Sequence, residues 1–163
     1  MNILKNKNKW LVTGGAGFIG SHLIRDLIGQ NQKVVCVDDF STGFEKNLPE
    51  SQLLEVINSK IQNITLKDLA PDLKGIFHLA AQSSAPKSIE SMYLSSSNNL
   101  LSSLKVWDLA RKLSIPIVYA SSSAIYGNLP RGDDKVTKID ILSPYAMDKL
   151  SMENYAKVCW DLY

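Results

Sequence analysis

Apolar positions along the chain follow two periods. Short apolar runs such as Leu11-Val12 and Val34-Val35-Cys36-Val37 read as strands, and longer stretches with apolar residues three or four apart read as helices. The pattern predicts strands near 10–13, 33–38, 53–57, 75–80 and 115–120, and helices near 18–29, 64–70, 98–113 and 144–162. Leu100, Leu104 and Trp107 are spaced to pack from one helix face. Strand–helix alternation of this kind argues for an α/β fold: a doubly wound parallel sheet covered by helices on both faces. Right-handed crossovers give the strand order 3-2-1-4-5. Ligands in such sheets bind at the carboxyl ends of the strands, and the loops beginning at 14, 38, 80 and 121 all leave strands there.

The pattern ends in a helix at Tyr163, with no capping glycine and no closing strand. The sheet is therefore expected to stop before its last strands, leaving strand five with an unpaired edge. Residues 1–163 read as one incomplete domain, and their number suffices for a real core. The stretch Gln82–Asn98 is rich in serine and reads as an ordered loop rather than a linker.

Charge changes this picture little. Eighteen Lys and Arg oppose 16 Asp and Glu, so no basic stripe for nucleic acid is expected. Lys5, Lys7 and Lys9 alternate with Asn6 and Asn8 and read as a solvated lead-in to the first strand. No apolar run approaches the ~18 residues needed to span a bilayer, and the polar start does not resemble a signal peptide. Cys36 and Cys159 are far apart and read as reduced thiols, which points to the cytoplasm. Neither has a nearby cluster of ligand-type residues, so no metal is expected.

The chemistry begins at Val12-Thr13-Gly14-Gly15-Ala16-Gly17-Phe18-Ile19-Gly20. Gly14 lets the chain turn off the strand, Gly17 lets a diphosphate approach the backbone, and Gly20 lets the helix pack closely. The N–H groups at the helix start then face the phosphates. A glycine turn in another α/β protein would look similar. Asp38, 18 residues past Gly20 at the end of the second strand, fits the carboxylate that holds an adenosine ribose. Asp38 and Asp39 would repel a 2′-phosphate, and no Arg lies between residues 26 and 110, which favours NAD over NADP.

Tyr145 and Lys149 are four apart and share a helix face. An ammonium near a phenol favours the phenolate, which makes Tyr145 a candidate general base. Spacing alone reads more readily as a solvated surface pair. Ser121-Ser122-Ser123 leaves the fifth strand on the expected ligand side, though a serine-rich turn would read the same.

Together these motifs resemble the extended short-chain dehydrogenase/reductase family. They look most like its NAD-dependent nucleotide-sugar epimerases and dehydratases, and within those the UDP-glucose and UDP-N-acetylglucosamine 4-epimerases. The resemblance runs from about Trp10 to the last residue. It rests on Gly14–Gly20, on Asp38-Asp39-Phe40-Ser41-Thr42-Gly43, on Phe77-His78-Leu79-Ala80-Ala81-Gln82, on Ser121–Gly127, and on Ser143-Pro144-Tyr145 with Lys149. It implies a Rossmann-type domain whose substrate-binding part lies beyond this chain.

The resemblance also implies roles. Cofactor contacts fall on Gly14, Gly17, Phe18, Ile19, Gly20, Asp38, Asp39, Ser41, Thr42, Gly43, Leu79, Ala80, Ala81, Asn98, Tyr145 and Lys149. Catalysis falls on Ser122, Tyr145 and Lys149, and substrate contacts on Ser83, Ser122, Ser123 and Tyr145. Tyr145 would take a proton from a sugar hydroxyl while the ring carbon gives hydride to NAD, and the keto-sugar would take it back on its other face. The substrate implied is a UDP-hexose or UDP-N-acetylhexosamine. Dehydratases of the family carry an acid pair where this chain has Ser123 and Ala124, which favours 4-epimerisation over dehydration. A non-catalytic NAD-binding fragment is the other alternative. The family also implies a homodimer through helices 98–113 and 144–162, to which Leu150, Tyr155 and Val158 could contribute. One departure is Lys60-Ile61, where the family often has an Asp-Ile pair touching adenine. His22 and His78 read as packing residues.

Overall fold

Leu11, Val12 and Thr13 are fully buried because their strand is flanked on both sides. In the computed structural model, which describes residues 8–69, 72–129 and 139–163, this strand is β1 (Lys9–Thr13). It pairs in parallel with β2 (Lys33–Asp38) and β4 (Leu73–His78), so Leu11 lies between Val35 and Ile76. The outer strands are β3 (Leu54–Asn58), paired with β2, and β5 (Ile117–Tyr119), paired with β4. The order is β3-β2-β1-β4-β5, as the alternation pattern predicts. The buried β2 is a near-continuous run of β-branched and apolar residues, the composition of a strand covered on both faces.

Helix α1 (Phe18–Gly29) lays Ile24 and Leu27 against Val12, Val34 and Cys36. Full burial of such side chains supplies about 1.5–3 kcal/mol each. Helix α4 (Ser102–Leu113) buries Val106, Trp107, Leu109 and Ala110. The Trp107 ring meets His78 edge-on at 5.8 Å and Tyr119 at 5.0 Å, which ties α4 to the ends of β4 and β5.

The chain forms two compact units. One comprises Met1–Ala80 with Lys105–Tyr119 and holds the sheet; the other comprises Ala81–Leu104 with Ala120–Tyr163. The second unit contains α2 (Ala85–Glu90), α3 (Met92–Ser96), a π-turn over Ser97–Leu101, a 3-10 turn over Ser123–Tyr126, and α5 (Pro144–Leu162). Ser143 caps α5 by accepting from the Ala146 N–H at 3.2 Å, and Pro144 occupies its first turn. Ser88 on α2 is fully buried and accepts from the Tyr145 N–H at 3.1 Å, so α2 fixes the start of α5.

Two expectations fail. No helix forms over 64–69, and residue 70 lies outside the described residues. Asp68 instead closes a tight turn: one carboxylate oxygen accepts from the Thr65 N–H at 2.8 Å and the Thr65 hydroxyl at 2.7 Å. These bonds hold the Asp68 carboxyl below its ordinary range, and they take up groups that would otherwise open a helix. The serine-rich stretch, in turn, is ordered but helical. Its serines cap and pack rather than loop: Ser84 caps Lys87 at 3.3 Å, and Ser88 donates back to the Ala85 carbonyl at 2.6 Å. The helical path expected from residue 98 accordingly begins at Met92.

Candidate functional site

In the sheet-bearing unit the candidate residues start at the loop between β1 and α1. Gly14 has φ +70°, and a Cβ there would stand 2.6 Å from the Ala80 nitrogen. A Cβ on Gly20 would collide with the Gly14 carbonyl. The two glycines therefore let loop, helix and β4 end close on one another. At Gly17 a Cβ would meet only the Gly14 oxygen, at 3.3 Å, so the loop is open on that side. Gly17 is also the helix N-cap; it offers no side-chain cap, and the first turn carries no acid. The first N–H groups of α1 are thus left to an external acceptor, with the positive end of the helix dipole behind them. Phe18 is 81% exposed and Ile19 is exposed beside it.

Asp38 is buried at the end of β2. One carboxylate oxygen accepts from the Ala16 N–H at 2.8 Å and the other from the Phe40 N–H at 2.9 Å. Asp38 therefore fixes the glycine loop to the loop that follows β2. Asp39 braces that second loop, accepting from the Ser41 N–H at 3.0 Å and its hydroxyl at 2.6 Å. Ser41 and Thr42 are exposed, whereas Gly43 is buried so tightly that a Cβ would lie 2.8 Å from the Ala16 carbonyl carbon. The Cys36 thiol beneath the loop is pushed up to about 12 by burial and then by the Asp38 charge, so it is an inert core group.

Leu79 and Ala80 leave β4 on a shared support. Thr13 Oγ1 accepts from both of their N–H groups, at 3.3 and 3.2 Å. The same hydroxyl also hydrogen-bonds His78 Nδ1 at 2.7 Å. His78 is 1% exposed, a core residue as its strand pattern predicts. His22 likewise bonds within its helix, to the Phe18 carbonyl at 2.8 Å.

The second unit carries its own group of candidate residues, on α5 and the turn at Ser122. Tyr145 is half-buried, and Lys149 Nζ lies 5.9 Å from its ring centroid, the one-turn pairing that the spacing predicts. Lys149 is 4% exposed and donates to the Ala120 carbonyl at 2.8 Å. Burial pulls its ammonium down from 10.5 to about 8, against an opposing pull from Asp148. The half-buried Ser122 accepts from the Ala124 N–H at 3.1 Å, which leaves its own proton free to donate. Ser123 and Ser83 are exposed, and Ala81 is half-buried.

Asn98 is half-buried in the π-turn, not at a helix start. Its neighbour Asn99, which the sequence did not single out, is 1% exposed and exchanges hydrogen bonds with the Gln82 backbone at 2.8 and 3.1 Å. Asp148 and Glu153 were also missed. Glu153 lies one turn beyond Lys149 and accepts from the Ser121 hydroxyl. A third member of the i, i+4 series from Tyr145 was the available signal for Glu153. Lys60 is exposed, and Ile61 is buried at the head of a 3-10 turn, so no carboxylate stands at that position. Among the described residues, no cluster of three His, Cys, Asp or Glu could hold a metal ion. Among them, too, no helix is long and apolar enough to cross a membrane.

A parallel sheet with this strand order, a glycine loop at its β1 end and an acid at its β2 end defines a Rossmann-like nucleotide-binding fold. The chain belongs to the NAD dependent epimerase/dehydratase family, whose profile matches residues 10–163. It is 33% identical to a UDP-glucose 4-epimerase of Mycolicibacterium smegmatis over 94% of its own length and 51% of the relative's. Among solved structures it resembles a UDP-N-acetylglucosamine 4-epimerase from Methanobrevibacter ruminantium bound to UDP-N-acetylmuramic acid (TM-score 0.88, 33% identity, 96% of this chain and 52% of that one). It also resembles the Thermus thermophilus UDP-glucose 4-epimerase in complex with NAD (TM-score 0.84, 32% identity, 95% and 51%). A dTDP-glucose 4,6-dehydratase from Streptomyces venezuelae shares the fold as well (TM-score 0.86, 26% identity, 95% and 52%). The chain thus spans about half the length of the relatives it matches. The cofactor of the family is NAD, and the residues present fit it: an open glycine loop under an uncapped helix start, and a buried acid with no arginine near it in sequence.

Proposed function

We propose that this chain is the cofactor-holding and acid–base part of an NAD-dependent nucleotide-sugar 4-epimerase acting on a UDP-hexose or UDP-N-acetylhexosamine. The observation that carries the reading is Lys149, a nearly dehydrated ammonium one helical turn from Tyr145, which among the described residues donates to the Ala120 carbonyl alone. Gly14, Gly17 and Gly20, with the first N–H groups at Phe18 and Ile19, hold the diphosphate of NAD. Asp38 holds its adenosine ribose, and Asp39, Ser41, Thr42 and Gly43 line the same side. The family resemblance assigns further cofactor contacts to Leu79, Ala80, Ala81 and Asn98. When bound, NAD supplies reversible hydride acceptance.

The chain's own residues move the proton. Tyr145 Oη takes it from the sugar hydroxyl and returns it later. The Ser122 hydroxyl hydrogen-bonds the same sugar oxygen and steadies it through the change of charge, while Lys149 keeps a positive charge beside the phenol and holds the nicotinamide ribose. Ser83 and Ser123 contact the substrate. Neither Ser123 nor Ala124 can act as an acid, so elimination of water has no proton donor at those positions, and epimerisation is favoured over dehydration.

NAD⁺ titration followed by product analysis with UDP-glucose, UDP-galactose and UDP-N-acetylglucosamine tests this reading. Saturable one-site binding and appearance of the C4 epimer are expected, with loss of turnover in Tyr145→Phe. NAD binding without any epimer from these sugars would instead support a second reading, a cofactor-binding segment without turnover, which the half-length match favours. We further propose a cytoplasmic location, supported by two distant thiols that form no disulfide. Pairing of two copies through helices 98–113 and 144–162 is supported by the exposed Tyr155 and Val158 on α5. Light scattering reads the mass directly.

A further inference from the structure

Asp148 is 4% exposed, yet no ion pair reaches it; the ion pairs among the described residues are Lys9–Glu55 and those of Asp108 with Arg111 and Lys112. Its carboxylate is held by two neutral donors instead: the Ser96 hydroxyl at 2.7 Å and the Asn99 amide at 3.3 Å. Asn99 is itself locked by the Gln82 backbone, so the carboxylate is pinned to a rigid π-turn. Adjacent helix residues point about 100° apart. Asp148 therefore faces the π-turn, while Lys149 turns away to the Ala120 carbonyl.

An isolated buried carboxylate is costly, and neutral donors alone compensate it poorly against a well-packed apolar residue. What it supplies here is a negative charge one residue from a dehydrated ammonium. We infer that Asp148 is a positioning residue that acts through Lys149, a counter-ion held one residue away, which keeps the ammonium protonated without occupying its N–H donors. A direct salt bridge would balance the charge equally well but would take donors from the ligand. The inference rests on the reading of Lys149 as part of the acid–base set.

Other charges near this helix are few. On the elements packed against α5, Lys87 and Glu90 of α2 are exposed, as is Tyr93 of α3; the π-turn carries no titratable residue, and the 3-10 turn carries only Tyr126. On α5 itself, Tyr145 lies on one side of Lys149 and Glu153 on the other, and Glu153 is engaged by Ser121. Among the described residues Asp148 is the charge that bears on Lys149, and its effect is to favour the ammonium.

The test is the titration of Lys149 without cofactor, followed by NMR of ¹³Cε-labelled lysine and assigned by the signal missing in Lys149→Met. Asp148→Asn keeps the shape and an acceptor but removes the charge. Its Lys149 midpoint is expected to fall, with proton affinity weakened at least about fivefold; an unchanged midpoint in a folded variant overturns the proposal. Ser96→Ala, which leaves the charge in place, is expected to leave the midpoint unmoved, and a fall equal to that of Asp148→Asn would overturn the counter-ion role. In the unsubstituted chain, a carboxylic-acid ¹³Cγ signal for Asp148 at pH 7 would overturn it without any variant, and a carboxylate signal supports it. NAD binding enters none of these readings, so failure of the proposed function would show separately, as absence of binding or turnover.

Discussion

Lys149→Met should trade function for stability, and the trade should depend on pH. The ammonium is 4% exposed, and its folded value of about 8 lies below the ordinary 10.5. Below pH 8 both folded and unfolded chains hold the proton, and the folded chain carries the full cost of keeping the charge from water. Between about 8 and 10.5 the unfolded chain alone still holds it, so stability climbs. Above 10.5 the cost is gone. The depression corresponds to about 3 kcal/mol, of which about 2 kcal/mol is recovered between pH 7 and 9.5. Methionine fills a similar volume and needs no water, so its variant should lack this climb. At pH 7 it should also be the more stable protein, even after losing the bond to the Ala120 carbonyl, worth about 1 kcal/mol. The comparison is best made in a Tyr145→Phe background, which removes the neighbouring phenol, by urea unfolding at pH 7 and 9.5. Other titrating groups cancel in the difference between the two chains. Equal climbs with and without Lys149 would show that the ammonium is not desolvated, and would remove the main support for its place in the acid–base set.

The remaining expectations are simpler. Gly14→Ala forces a Cβ into a positive-φ position 2.6 Å from the Ala80 nitrogen, so it should lose NAD binding in calorimetry and unfold more readily, by about 1–3 kcal/mol. Tyr145→Phe removes the proton acceptor but no packing, so product formation should fall about 10²–10⁴-fold with an unchanged melting curve. Ile24→Ala opens a cavity in a fully buried cluster and should cost about 2–5 kcal/mol in urea unfolding, with NAD affinity largely retained where the chain stays folded.

The sheet was legible because each of its strands carries its own signal. β2 is an uninterrupted apolar run, β1 ends in a glycine loop, and the alternation with helices leaves few topologies. Serine misled at 82–98, since composition does not say whether its hydroxyls cap helices or line loops; Ser84 and Ser88 do the former. The turn at Thr65–Asp68 depends on a side chain taking the backbone's place, which apolar spacing does not register. Within the site, residue types were readable but their partners were not. Asp38 reads in sequence as an acceptor for a ligand, and its second task, accepting one backbone N–H on each oxygen, was not readable there. Asp148 gave no signal, because its burial follows from a π-turn about fifty residues away.

The Asp38 arrangement has a kinetic consequence. Its carboxylate joins the glycine loop to the loop after β2 through the protein's own backbone N–H groups, and Asn47 adds a bond from its amide to the Ala16 carbonyl at 2.8 Å. Loops tied in this way have little conformational entropy of their own left to lose when the cofactor binds. Association should then proceed in one phase at a rate proportional to cofactor concentration, with no rearrangement step that saturates.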